Sequence, residues 1–213
     1  MKKKIRVQQI VAAMVGIFFV SVGVAFNNCA GWGNDAIGML YDGIRVAFGM
    51  TSEQLGMASN VVNIGLTVIL FLVARRYVSI GTFVYLLPYG FFVNVGTMLY
   101  SMIFASDMAW VRVLGSVAGC VMLCFGVAIY IVLDIGVDPF TGIVLFFADV
   151  VKKQYGSIKV IFDITLIVIG ALLGGKLGAV TLITAIAVGP TIQLFAGLLL
   201  KWRWYMVCIK GEN

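Results

Sequence analysis

Long apolar runs, broken by short clusters of charge, set the plan of this 213-residue chain. From Ile10 to Phe26 no charged residue occurs, and comparable runs recur at about 54–74, 79–104, 113–133, 158–175 and 178–200. A bilayer core about 30 Å thick takes about 20 apolar residues per helical span, so these runs predict six membrane helices. Two shorter apolar stretches, about 36–50 and 139–153, each follow a Gly-x-Asp turn at Gly33-Asn34-Asp35 and Gly136-Val137-Asp138. Aspartate is a preferred N-cap because its carboxylate accepts a free backbone N–H. Pro139 stands at the first helical position, where a missing N–H costs nothing. Gly49 and Gly156 are expected to stop these short helices. About fifteen helical residues reach about 22 Å, short of the bilayer core, so they are read as interfacial or re-entrant. The alternative counts them as spans, eight in all.

The chain also matches itself. At a shift of 103 residues Gly16 meets Gly119, Gly23-Val24-Ala25 meets Gly126-Val127-Ala128, Gly33-x-Asp35 meets Gly136-x-Asp138, and Asn60 meets Asp163. After a four-residue deletion the shift becomes 99, and Thr82 meets Thr181, Gly90 meets Gly189, and Asn94 meets Gln193. An ordered series of this kind predicts duplication, with repeat one at about 9–104 and repeat two at about 112–203 of a single membrane domain. Three spans per repeat is an odd number, which mounts the repeats upside down to one another. Eight spans would make them parallel. The turn at 49–56 has no Lys or Arg, whereas its partner at 152–159 has Lys152, Lys153 and Lys159. That asymmetry favours inversion, since equivalent loops of inverted repeats lie on opposite sides.

Composition agrees with a lipid solvent. Hydrophobic residues make up 62% and charged residues 11%, against about 25% charged in a soluble domain. The net charge of +6 does not point to nucleic acid. Its basic residues sit at segment ends: Lys2, Lys3, Lys4 and Arg6 before the first run, Lys201, Arg203 and Lys210 after the last. Cytoplasmic loops of membrane proteins collect such residues, and Trp202, Trp204 and Tyr205 resemble an interfacial belt. The first run is longer than a signal-peptide core and lacks a small-x-small cleavage site. It is read as an uncleaved helix with both termini cytoplasmic.

Small and polar residues inside the runs supply the candidate sites. Gly16 and Gly23 share a face of the first helix, and Gly119 and Gly126 repeat this on its counterpart. Such stripes let membrane helices approach closely, so the two helices are expected to pack near the pseudo-twofold axis. Polar residues within or beside the spans include Asn60, Asn63, Thr67, Asn94, Asp163 and Gln193. Charge at mid-bilayer is expensive and normally faces a partner or water. These side chains therefore either glue helices together or line a polar cavity for a small-molecule substrate or cation. Asp35 and Asp138 are helix caps, or, if the short helices turn inward, a pair of carboxylates for a cation or proton. Asp149 is expected to pair with Lys152 or Lys153. Cys120 and Cys124 read as small apolar packers. No metal site, cofactor or catalytic residue is expected: the chain has no histidine, no CxxC and no nucleophile beside a base.

Gly136-x-Asp138-Pro139 before a short helix, with Thr181 and Gly189-Pro190 in the last run, resembles the bacterial YczE/YyaS/YitT-type membrane proteins. The second repeat carries the resemblance better; Asp35-Ala36 and Gly90-Phe91 stand in the first. The resemblance implies a multi-pass bacterial plasma-membrane protein and no particular activity. The leading functional expectation is a small-molecule or ion permease, or the substrate-binding membrane subunit of one. The alternative is a scaffold supporting a partner enzyme. The bilayer is the expected partner in either case, with a membrane-protein partner or a second copy of the chain also open.

Overall fold

The computed structural model describes residues 7–104 and 108–201. Lys2, Lys3, Lys4, Arg6, Trp202, Arg203, Trp204, Tyr205, Cys208 and Lys210 lie outside them. Among the described residues every regular element is a helix, and the α-helices run in the order α1 (Val7–Ala30), α2 (Ala36–Ala47), α3 (Leu55–Ala74), α4 (Ile80–Ile103), α5 (Ala109–Leu133), α6 (Pro139–Val151), α7 (Tyr155–Leu172) and α8 (Ala179–Lys201). Six of these, all but α2 and α6, are long and apolar enough to cross a membrane.

α1 and α5 form the buried axis. They run antiparallel, and Gly16 faces Gly126 while Gly23 faces Gly119. A Cβ on Gly23 would sit 2.6 Å from the Gly119 carbonyl oxygen, and one on Gly126 would sit 2.4 Å from that of Gly16. Only hydrogen at these positions permits the approach. α4 packs parallel to α1 through Phe18–Phe92 and Phe26–Tyr100 edge contacts, at 5.4 Å in each case. α8 lies against α5 through Phe125–Phe195, 5.6 Å apart.

The bundle has two ends. α1 finishes at the first, where Arg112 Nε donates to the Ala30 carbonyl (2.8 Å) and Lys176 lies near Gly31. α5 finishes at the second, where Tyr130 donates to the Gly81 carbonyl (2.8 Å). Arg76 pairs with Asp149 there (2.6 Å). α1 begins and α8 ends at this second end.

Neither short helix crosses. After α1 the chain turns back, and Asn34 Nδ2 donates to the Val24 carbonyl (3.0 Å). That is six residues below Ala30, about 9 Å of helix. α2 starts there and returns to the first end, where Asp42 accepts the Lys176 N–H (2.8 Å). After α5 the chain turns back likewise, and α6 returns to the second end at Asp149. Twelve and thirteen residues give about 18–20 Å, too short for a span. α2 packs on α7, and α6 packs on α3.

Two local expectations are corrected. Asp149 pairs with Arg76, and Tyr77 also donates to it, so its partner comes from the far end of α3 rather than from Lys152 or Lys153. Gly156 does not stop the second short helix. That helix ends at Val151, with Lys152 in the left-handed region (φ 54°), and Gly156 lies in the first turn of α7.

Candidate functional site

Both short helices begin inside the bundle, each under an aspartate cap. Asp35 Oδ1 accepts from Gly38 N (3.3 Å), and Asp138 Oδ1 accepts from Thr141 N (3.0 Å). Thr141 Oγ1 donates to the other Asp138 oxygen (2.5 Å). Each preceding loop is pinned by the opposite half of the chain. Asn34 N donates to Thr181 Oγ1 on α8 (3.2 Å), and Val180 N donates to the Trp32 carbonyl (2.9 Å). Thr82 Oγ1 on α4 donates to the Val137 carbonyl (2.8 Å). Gly33 has φ +98° and Gly136 φ +142°, conformations that glycine adopts without the clash a Cβ would bring. A Cβ there would also strike Thr181 Oγ1 and Ser79 Oγ respectively.

Aromatic rings fill the space between the two caps. Tyr85 and Tyr89 stack at 4.9 Å, Tyr41 meets Tyr89 at 5.8 Å and Phe140 at 5.9 Å, and Tyr130 meets Tyr85 at 5.7 Å. Tyr89 is within electrostatic reach of both Asp35 and Asp138. Asn63, fully buried, donates from Nδ2 to the Tyr41 hydroxyl (2.9 Å). Its Oδ1 has no partner among the described residues. An unpaired buried acceptor costs about 1–3 kcal/mol.

The sequence-derived candidates fall into three places. Asn63 bonds to the tyrosine cluster, and Asp35 and Asp138 act on it electrostatically. Asn60 and Asn94 lie between α3 and α4. Asn60 Oδ1 accepts from Gly90 N and Asn94 Oδ1 from Gly56 N, both at 3.1 Å. Asp163 is tied to Lys159 one turn back on α7, each about one-third exposed, and Gln193 on α8 is exposed. Asn60 and Asp163 are thus on separate helices with separate partners. Thr67 closes on the Asn63 carbonyl within α3 (2.7 Å).

Sequence reasoning passed over three features. Tyr85 and Tyr89, four apart on one helix, were a visible signal of a shared face. Asp42 and Arg45, three apart on α2, form a buried ion pair at 2.8 Å. The Thr82 and Thr181 hydroxyls were visible only as matched positions, not as pins. A crevice beside Asp42 at the first end, lined by Asn27, Asn28, Asn34 and Lys176 among others, has no room for a water molecule. It is a packing seam.

Six apolar helices of spanning length define a polytopic α-helical membrane protein. Within that class the chain belongs to a family of unknown function, DUF6198, whose profile matches residues 7–197. No curated protein and no solved structure matches it.

Proposed function

We propose that this protein is a small-molecule or ion permease, or the substrate-binding membrane subunit of one, built from two inverted copies of a single unit. The observation that carries the reading is the pair of aspartate-capped helices starting inside the bundle, with tyrosines and the free Asn63 Oδ1 between them. Helix termini broken into the membrane interior at a repeat interface are where such transporters hold substrate and coupling ions. Carboxylates, an amide oxygen and aromatic faces all favour positive charge, so the occupant is a cation or a proton. The duplication draws support from reciprocal packing: α2 on α7 matches α6 on α3, and Thr181 at Asn34 matches Thr82 at Val137.

The second end, with Arg75, Arg76, Lys152 and Lys153, is the cytoplasmic face on the positive-inside rule. Arg45, Arg112 and Lys176 then lie outside. The membrane is the bacterial plasma membrane, in line with the YczE/YyaS/YitT-type resemblance, and the protein is not an enzyme. A scaffold role draws on Asn60 and Asn94, whose oxygens are already satisfied by helix backbone.

The test is a thermal-shift screen of purified protein against inorganic cations, amines and vitamins. The proposal expects a specific cation to raise the melting temperature and Asp35→Asn or Asp138→Asn to abolish the shift. A blank screen, with these variants changing stability alone, would favour the scaffold.

A further inference from the structure

The two halves of the bundle are not packed alike. α3 and α4 are buried along their whole length on their shared side, from Leu55 to Ala74 and from Gly81 to Tyr100. Their contact is so close that a Cβ on Gly56 would fall 2.1 Å from the Gly90 carbonyl oxygen. α7 and α8 have no comparable packing. α7 is buried only at Leu166 and Gly170, and α8 only at Val180, Thr181 and Thr184. All of these lie toward the first end, so toward the second neither helix is covered. A Cβ on Gly189 meets nothing within 4 Å.

Resting on the duplicated reading above, we infer that α7 and α8 form a gate, closed by the counterparts of the bonds that hold α3 to α4. Asp163 stands where Asn60 stands, Gly189 where Gly90 stands, and Gln193 where Asn94 stands. In the closed state Asp163 leaves Lys159 and accepts from Gly189 N, as Asn60 now accepts from Gly90 N. Gln193 Oε1 takes Lys159, as Asn94 takes Gly56. Lysine in place of glycine forbids the same close approach, and glutamine in place of asparagine supplies an arm one methylene longer to span the wider gap. Gly189 is followed by Pro190 inside α8, and proline within a helix is a usual site of kinking. The hinge therefore adjoins the latch. Gln193 makes no hydrogen bond among the described residues and stands exposed. A primary amide at membrane depth gains a partner only when the gate shuts.

The experiment is a spin-label distance measurement on the full chain in lipid. The native cysteines are replaced, and labels are attached through Gly156→Cys on α7 and Gly197→Cys on α8, positions where an added Cβ meets nothing. The expected result is two populations, one long and one short. Gln193→Ala, which has no open-state partner to lose, should cut the short-to-long ratio about fivefold, the worth of one hydrogen bond. Asp163→Asn, which keeps an acceptor oxygen and weakens the hold on Lys159, should retain the short population. A single long population, or a ratio untouched by Gln193→Ala, overturns the gate. No substrate is needed, so the gate can fail while a cation hit from the screen stands, and a blank screen leaves the distance result standing.

Discussion

Gly23→Ala tests the α1–α5 axis, and its size can be worked from the contact. The new methyl would sit 2.6 Å from the Gly119 oxygen and the Leu123 nitrogen, and 2.9 Å from Leu123 Cβ. The first two are backbone atoms and cannot rotate away. Reaching ordinary contact at 3.4 Å requires the helices to part by roughly 0.8 Å. A gap of that order forfeits about a quarter to a half of each dispersion well along the seam, and overpacking of this kind costs about 1–3 kcal/mol. Alanine also improves helix propensity over glycine by about 0.8–1.0 kcal/mol, which masks part of the cost. Gly65→Ala removes the ambiguity. It makes the same chemical change in α3 with nothing within 4 Å of the new carbon. At about 2–4 °C per kcal/mol for a chain of this size, Gly23→Ala should melt about 2–12 °C below Gly65→Ala in one detergent. Equal melting temperatures would show that α1 and α5 do not touch at these glycines.

Asp42→Ala should cost about 3–5 kcal/mol, because it strands Arg45 in a buried pair; Asp149→Ala, which breaks an exposed pair with Arg76, should cost less than about 1 kcal/mol. Equilibrium unfolding in mixed micelles separates the two. Thr82→Val and Thr181→Val should each cost about 1–3 kcal/mol by leaving a buried loop group unpaired, and should speed proteolysis within residues 31–35 or 134–138.

Much of this architecture could be read from the chain. Span number, helix caps and the glycine stripe follow from length, hydropathy and local capping chemistry, which act within a few residues. Pro139 and Asp138 mark a helix start whatever surrounds them. Apart from the α1–α5 pair, which the glycine stripes marked, partners were not legible. Periodicity shows that α2 and α6 have apolar faces, but not that each packs on the second long helix of the other half. Asp149 shows the limit: local spacing offered Lys152 and Lys153, while the fold brings Arg76 from 73 residues away. Gly156 misled because a glycine can open a helix as well as end one, and Lys152 took the left-handed turn instead. Asn60 and Asp163 match in sequence yet do not meet, because α3 packs against α4 while α7 packs against α2.

Inversion of the two units is tested most directly by sidedness at equivalent positions. Thr51→Cys precedes α3 and Gln154→Cys precedes α7, and the two positions correspond at the shift of 103. Each is placed singly in a cysteine-free chain and labelled in intact cells with a membrane-impermeant maleimide. The inverted arrangement predicts that Thr51→Cys reacts from outside and that Gln154→Cys reacts only after the cells are opened. Labelling of both from the same side would contradict it.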